Sequence, residues 1–178
     1  MTKLRAALEL LLVLALGACD EPPPKAPPPA ARMTAESVGY YCQMYVLEHD
    51  GPKAQLHLES QTAPFWFSQV RDLVAFLRRP DEPRDIAVAY VSDMGRAPSW
   101  TRPGEDNWID AKSAVYVIES RLAGGMGAPE AVPFGMRAAA EAFVRERGGR
   151  IVPLDGIPDA YVLGNPAAEP AHEHGDAS

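Results

Sequence analysis

The pattern of apolar and polar residues divides the first half of the chain into short strands and one helix. Gly39–Glu48 and Ala54–Glu59 have strand composition, and the turn sequence HDGP between them predicts a hairpin. Apolar residues at helical spacing predict a helix over Phe65–Arg79, with a proline before it and another just beyond it. Ile86–Val91 predicts a further strand.

The second half repeats this order of elements. Ser113–Ser120 predicts a strand, and a glycine-rich segment follows at Gly124–Gly127. Met136–Arg147 predicts a helix ended by two glycines, and Ile151–Leu154 predicts a last strand. We therefore predict an α+β fold of two similar ββαβ units packed as one compact body.

The N-terminus has the pattern of a bacterial export signal. Lys3 and Arg5 precede the apolar stretch Leu8–Leu16, which is shorter than the roughly 18–20 residues that span a membrane. The sequence LGAC, which ends at Cys19, is similar to a lipobox and predicts a lipid anchor on that cysteine. The alternative is an ordinary cleaved signal with a chance cysteine. Asp20 favours retention at the inner membrane, with the outer membrane as the alternative.

Composition shifts complete the predicted organisation of the chain. The sequence EPPPKAPPPAAR predicts an extended tether, and the acidic end of the chain predicts disorder. The predicted parts are a signal peptide (1–18), a lipidated cysteine with a Pro-rich tether (19–33), a first ββαβ unit (34–95), a loop (96–107), a second ββαβ unit (108–165) and a disordered tail (166–178).

Charge and motif content exclude several classes of function. The 178 residues carry a net charge of -7, which argues against a nucleic-acid surface. Two cysteines are too few for a disulfide scaffold or a four-cysteine zinc site. The sequence has no CxxC, GxSxG, HExxH or phosphate-loop motif. We predict that the protein is not an enzyme.

Sulfur side chains are the strongest candidates for chemistry. On the predicted strand, Cys42 and Met44 would share a face, with Cα atoms about 6.5–7 Å apart. Thiolate and thioether are soft ligands that favour Cu(I). Met126 lies among glycines, which allow a loop to approach a facing strand closely. Met94 and His49 are weaker candidates for the same site.

Structural roles remain open for each of these residues. Buried cysteine and methionine often only fill a core. His57 fits simple packing, and His172 and His174 form an HxH in the predicted tail. Asp110 and Glu130 leave a carboxylate pair open, although surface charge is the usual explanation. Met33 and Met136 have no predicted role in the site.

Two other hypotheses for the role of Cys42 compete with copper binding. A thiol enzyme needs a basic neighbour to activate the thiol, and none stands beside Cys42 in the sequence. A non-metal assembly lipoprotein would not depend on the thiol at all.

Taken together, the motifs resemble one family. The order is a lipobox cysteine, CxM, GPKAQ at 51–55, YVSDM at 90–94, WIDA at 108–111, GMG at 125–127 and VPF at 132–134. This combination, spread over most of the body, resembles the NosL family, accessory lipoproteins of nitrous-oxide reductase. Many members have glycine between the cysteine and the methionine, where this chain has Gln43.

The resemblance implies a periplasmic Cu(I) chaperone with two ββαβ units. Its implied metal ligands are Cys42, Met44 and Met126, and its anchor is lipid on Cys19. The implied partners are nitrous-oxide reductase, a membrane ABC-type maturation complex, and the membrane itself through the lipid. No nucleic acid is expected.

Overall fold

The computed structural model describes residues 26–164, which form seven strands and three α-helices. The strands are β1 (Ala54–Leu58), β2 (Phe65–Phe67), β3 (Ile86–Ser92), β4 (Trp108–Asp110), β5 (Val115–Ile118), β6 (Val132–Phe134) and β7 (Arg150–Pro153). The helices are α1 (Val70–Arg78), α2 (Arg137–Arg147) and α3 (Asp159–Leu163), with 3-10 turns at Val46–Glu48 and Leu154–Gly156. The predicted signal peptide, Cys19, Asp20, the tail and its two histidines lie outside the described residues.

The strands form two antiparallel sheets, in the orders β2-β1-β3-β4 and β6-β5-β7. One apolar cluster holds them together, because it includes Leu56 and Phe67 of the first sheet and Tyr116 and Ile118 of the second. A smaller cluster lies under α2, around Val132 and Phe134. The predicted α+β class is confirmed.

The predicted strand over Gly39–Glu48 is wrong. This segment forms a turn, a bridge between Val38 and Tyr45, and the 3-10 turn Val46–Glu48. Its aromatic residues suit a strand, but here they pack onto neighbouring rings: Tyr40 stacks on Phe65 with ring centroids 4.5 Å apart. The segment therefore makes no hairpin with β1. Instead β1 lies inside the sheet, between β2 and β3.

The predicted helix over Phe65–Arg79 begins five residues too early. Phe65–Phe67 is strand β2, and Gln69 is the extended N-cap residue of α1. The aromatic residues Phe65–Phe67 are compatible with the periodicity of a helix and with that of a strand. They form a strand because they pair with β1. The helix buries Val70, Leu73 and Phe76 and ends before Pro80, as predicted.

In the second half, the predicted helix and the two predicted strands form with slightly different ends. Gly148, which ends this helix, has a φ of 73° and a ψ of −167°, a conformation that glycine adopts far more readily than other residues. Strands β4 and β6 are additional to the prediction. Each has only three residues, and β6 contains Pro133, which is tolerated because β6 is an edge strand.

The described end of the predicted tether packs on the first sheet. The amide of Gln55 exchanges two hydrogen bonds with the backbone of Ala31, at 2.8 and 2.9 Å. The Tyr90 hydroxyl donates to the Pro28 carbonyl, and Met33 is fully buried. Met33 is thus a core residue, a role that the sequence did not indicate, and the folded body includes residues before position 34.

Candidate functional site

Cys42 lies in a tight turn and not on a strand. The Gly39 N–H donates to the Met44 carbonyl at 2.9 Å, and the Gln43 N–H donates to the Gly39 carbonyl at 2.9 Å. Gln43 has a φ of 55°, so its backbone is left-handed. Its side-chain amide donates to the Tyr40 carbonyl at 2.7 Å. The prediction that Cys42 and Met44 share a strand face is therefore wrong, since both residues lie in one turn.

Aromatic residues anchor this turn to the core. The Tyr40 N–H donates to the Trp66 carbonyl at 2.7 Å, and the Tyr40 ring packs edge-on against Phe76. The hydroxyls of Tyr40 and Tyr41 both donate to Glu82, at 3.0 and 2.7 Å. The thiol is thus carried by a turn with a fixed position, as preorganised binding requires.

The Cys42 thiol points at the junction between β2 and α1. Its Sγ lies 3.3 Å from the Ser68 Oγ, and the residue is half-buried. Gly39 leaves the space that the sulfur fills: a Cβ there would stand 2.5 Å from Sγ and 3.0 Å from Ser68 Oγ. The sulfur is therefore close-packed on one side and open on the other.

Met126 reaches the same junction from a glycine-rich turn. The Gly127 N–H donates to the Gly124 carbonyl at 2.8 Å, which closes the turn. The Met126 N–H donates to Gln69 Oε1 at 3.4 Å. Because Ser68 and Gln69 are consecutive, the cysteine turn and the methionine loop contact neighbouring residues at the junction of β2 and α1. Met44 and Met126 are 39% and 43% exposed, so both thioethers are accessible.

His49 lies beside the methionine loop. A Cβ on Gly125 would lie 2.8 Å from the His49 Cβ, and the His49 Nε2 is buried without a hydrogen-bond partner among the described residues. The residue also lines a cleft of about 370 Å³, whose lining includes none of the three sulfur residues. His49 therefore stays a candidate through its place beside the methionine loop.

The remaining candidates have structural explanations. Met94 packs against the smaller apolar cluster, and its N–H donates to the Pro133 carbonyl at 3.0 Å. His57 is buried, with Nε2 2.8 Å from Gln55 Oε1. Asp110 accepts hydrogen bonds from the backbone after β4, and Met136 is the exposed N-cap residue of α2.

The sequence of the chain is similar to known proteins. The family model for NosL matches residues 29–162. The chain belongs to the NosL family. The copper-binding lipoprotein NosL of Achromobacter cycloclastes is 50% identical over 163 residues, which are 91% of this chain and 84% of that protein. The copper-binding lipoprotein NosL of Stutzerimonas stutzeri is 31% identical over 123 residues, or 69% of this chain and 63% of that protein.

A solved structure of the NosL family has the same fold. The crystal structure of the copper chaperone NosL from Shewanella denitrificans superimposes with a TM-score of 0.70 at 31% identity. The match covers 75% of this chain and 99% of that one.

Metal-ligand clusters of other types are absent from residues 26–164, where no three His, Cys, Asp or Glu side chains come together. The same residues contain no helix with the length and apolarity of a membrane span. Cys42 and Met126 lie in two segments that contact the consecutive residues Ser68 and Gln69, and Met44 lies in the same turn as Cys42. All three side chains offer sulfur.

Two charged residues near the site are buried, and the explanation of Glu130 as surface charge is therefore wrong. Lys53, within the GPKAQ motif, is fully buried, and its Nζ donates to the carbonyls of Asp50 and Ser68 at 3.0 and 3.1 Å. Glu130 is also fully buried, and its Oε1 accepts from the N–H groups of Arg71 and Ala131. Lys53 lies just before β1, and the sequence pattern gave no reason to expect a buried lysine there.

Burial controls the ionisation of both groups. It lowers the pKa of Lys53 to about 8, opposed by the negative charges of Glu130, Asp50 and Cys42. It raises the pKa of Glu130 to about 8, opposed chiefly by the hydrogen bonds from Arg71 and Ala131. The two groups also interact, because the charge of each favours the ionised form of the other.

The raised pKa of Glu130 predicts a pH-dependent stability. The carboxyl loses its proton near pH 4.5 in the unfolded chain but near pH 8 in the folded protein. Between these values the unfolded state binds fewer protons, so the free energy of unfolding falls as pH rises, by up to about 1.4 kcal/mol per pH unit. Glu130→Gln should flatten this slope in urea titrations, whereas Glu141→Gln on the surface should preserve it. An unchanged slope in Glu130→Gln would contradict the assignment.

Gly125 sets the position of the methionine loop. A Cβ there would stand 2.5 Å from the Asp50 carbonyl oxygen and 2.8 Å from the Asp50 nitrogen, so backbone must move. We expect Gly125→Ala to push Met126 from the junction and weaken Cu(I) binding about as much as Met126→Ala does. Competition with a Cu(I) chelator measures the affinity of both variants for the ion. The control is Gly127→Ala, where nothing lies within 4 Å and only the left-handed φ of 81° is strained. If Gly125→Ala and Gly127→Ala weakened Cu(I) binding equally, a clash with the Asp50 backbone would not be the cause.

Proposed function

We propose that this NosL-family protein is a Cu(I) carrier that binds its ion through Cys42, Met44 and Met126. The observation that carries the proposal is the convergence of the cysteine turn and the methionine loop on Ser68 and Gln69. A thiolate neutralises the charge of the ion, and two neutral thioethers favour Cu(I) over harder metals. His49 is proposed as an additional ligand, since its Nε2 lacks a hydrogen-bond partner in residues 26–164. Met94 is not included.

The exposure of the sulfurs suits a carrier and not a permanent metal centre. With Met44 and Met126 each about two-fifths exposed, an incoming ligand can reach the ion from outside. Such an open site supports transfer by ligand exchange, in which the acceptor's donors replace these sulfurs one at a time. We propose no catalysed reaction for this protein.

The surface around the cysteine turn supports docking to another protein. Tyr41, Tyr45 and Leu47 are 39%, 51% and 39% exposed, a concentration of large apolar side chains next to Met44. We propose that the acceptors are nitrous-oxide reductase and a membrane ABC-type maturation complex. This rests on the chain's membership of the NosL family.

We further propose that lipid on Cys19 anchors the protein in the periplasm. The relatives named as lipoproteins support the anchor, and Asp20 favours the inner membrane. A shared membrane would raise the effective concentration of the carrier near a membrane-bound acceptor. No further membrane contact is needed for this role.

The two sheets also support descent from one repeated unit. In each, the strand order is second-first-third, and a helix follows the second strand: β2-β1-β3 with α1, and β6-β5-β7 with α2. We propose that these are the two ββαβ units, with β4 as an addition to the first sheet. This would explain why each half supplies one side of the sulfur site.

The proposal is tested by replacing each methionine with leucine, which has similar volume but no sulfur. The full chain carrying Cys19→Ser, purified in detergent, is titrated anaerobically with Cu(I) against a chromogenic chelator. Met44→Leu and Met126→Leu should each weaken binding by roughly 10-fold, a typical minimum for disturbing a metal's surroundings. The control Met136→Leu, at a position 62% exposed on α2, should bind as the parent does.

Two results would overturn this assignment. Unchanged affinity in both leucine variants would remove the methionines from the site. Absence of Cu(I) binding in the parent would favour the alternative, a non-metal assembly lipoprotein that binds its reductase through the apolar residues around the turn.

A further inference from the structure

We propose that Glu130 is a positioning residue of the proposed Cu(I) site, which fastens the methionine loop, residues 124–127, to the start of α1. The inference deepens the proposed function and rests on it, because it concerns how Met126 is placed. It gives a role to a buried carboxyl group that the sulfur ligands leave unexplained.

Glu130 caps the helix against which both sulfur segments lie. Gln69, the residue before α1, makes no capping hydrogen bond with its own side chain. Glu130 supplies that bond instead, because its Oε1 accepts from the N–H of Arg71, the second residue of α1, at 2.9 Å. The first N–H groups of a helix have no partner within it, and a carboxylate suits them. A residue 59 positions further along the chain therefore fixes the start of α1.

The same carboxyl group lies against the methionine loop. A Cβ on Gly124 would stand 2.8 Å from Glu130 Oε2 and would also overlap Gln69 Oε1, so Gly124 packs closely against both side chains. Gln69 Oε1 is the atom that accepts from the Met126 N–H. Glu130 thus supports the loop at the point where the loop contacts α1.

The chain around Glu130 joins the base of the loop to the helix. Pro129 pairs with Ala123 in an antiparallel β-bridge, which closes that base. The Arg71 guanidinium donates to the Pro129 carbonyl at 3.0 Å, while the Arg71 N–H donates to Glu130. Two consecutive residues at the end of the loop therefore bind one residue of α1, which keeps the loop at a fixed distance from the helix.

The carboxyl group lowers stability where it lies, which argues for a specific role. Glu130 is fully buried, and its Oε2 has no hydrogen-bond partner within the described part of the chain. An apolar side chain would avoid the cost of an unpaired buried oxygen. Lys53 offsets part of this cost, because its charge attracts that of Glu130. Since Lys53 also donates to the Ser68 carbonyl, the opposite charges hold residues 68–71 from both ends.

A double-mutant cycle between Glu130 and Met126 tests this role, with anaerobic chelator competition as the measurement. In the full chain with Cys19→Ser, Glu130→Leu removes the acceptor and should weaken Cu(I) binding about as much as Met126→Leu does, roughly 10-fold. Because Glu130 acts by placing Met126, the double variant should bind no more than about 2-fold more weakly than Met126→Leu alone. Independent effects would multiply to roughly 100-fold.

A conservative variant shows whether the capping oxygen is what matters. Glu130→Gln keeps an oxygen that can accept from the Arg71 N–H, so it should bind Cu(I) within about 2-fold of the parent. Glu141→Leu removes an exposed carboxylate of α2 and should also bind as the parent does. A loss in Glu130→Gln as large as that in Glu130→Leu would contradict the role of the hydrogen bond.

Unchanged affinity in Glu130→Leu, or an effect that multiplies with that of Met126→Leu, would overturn the inference. Should circular dichroism show that Glu130→Leu does not fold, Gly124→Ala takes its place in the cycle, because its Cβ would displace Glu130 Oε2 from the loop. The same two outcomes decide. Unchanged affinity in Met126→Leu would remove the ligand and with it the proposed function of the loop. A loss in Met126→Leu without coupling to Glu130 would keep the proposed function and reject only this inference.

Discussion

Cys42→Ser should lower the affinity for Cu(I) by more than about 100-fold, beyond the ~10–100-fold that follows from losing an outer-shell partner of a metal. The thiolate is the one anionic soft ligand in the proposed set, and a serine hydroxyl stays protonated and binds Cu(I) poorly. The measurement is anaerobic competition with a chelator of known strength.

The fold should survive this change, which makes the result interpretable. Serine is slightly smaller than cysteine and can keep the contact with the Ser68 hydroxyl, now 3.3 Å from the sulfur. Ser68→Ala is the matched control, because it removes that contact and leaves the thiol. Ser68→Ala should lower the affinity for Cu(I) far less than Cys42→Ser does. Tight Cu(I) binding by Cys42→Ser would exclude the thiol from the site.

Phe76→Ala should lower the free energy of unfolding by about 3–5 kcal/mol, the usual cost of removing a buried phenylalanine ring. Phe76 of α1 is fully buried and contacts the rings of Tyr40, Phe65 and Phe67, with centroids 5.5 to 6.0 Å apart. The cavity would lie in the apolar cluster that both sheets share. Urea unfolding followed by fluorescence and circular dichroism measures the loss.

The shared cluster also predicts how the protein unfolds. Both probes should report a single transition that moves to lower urea in Phe76→Ala. The control Met136→Ala, at an exposed N-cap position, should cost less than about 0.5 kcal/mol. A loss below about 1 kcal/mol in Phe76→Ala, or separate transitions for the two probes, would contradict the single core.

The sequence predicted the elements whose pattern is long and unambiguous. The C-terminal part of the first helix, the second helix with its two closing glycines, and the strand at Ile86 all form close to the predicted bounds. The strands β2, β4 and β6 were missed because three residues are too few to show the alternation of apolar and polar residues that marks a strand. Their pairing depends on neighbours that are distant in the sequence.

The error at Gly39–Glu48 has a different cause. Strand composition there reflects aromatic residues that anchor a turn, and the left-handed Gln43 interrupts the extended backbone. Cys42 and Met44 were nevertheless chosen as neighbours, because a two-residue separation keeps side chains close in a turn as well as in a strand. The geometric explanation was wrong, and the pairing of Cys42 with Met44 stays a prediction that rests on their soft ligand chemistry.

The site beyond the sulfurs depends on tertiary packing. Lys53 and Met126 are far apart in the sequence, and the residues that relate them are Asp50, Ser68 and Gln69. Lys53 itself could not be predicted as buried, because it is a charged residue just before β1, where burial would not be expected.

X-ray absorption at the copper edge identifies the atoms that bind copper in the Cu(I)-loaded protein. With one Cu(I) per full chain carrying Cys19→Ser, we predict a nearest shell dominated by sulfur, from Cys42, Met44 and Met126. The sulfur count should fall by one in Met126→Leu and stay constant in Met136→Leu. A shell dominated by nitrogen or oxygen, or one that neither Cys42→Ser nor Met126→Leu alters, would contradict the sulfur site.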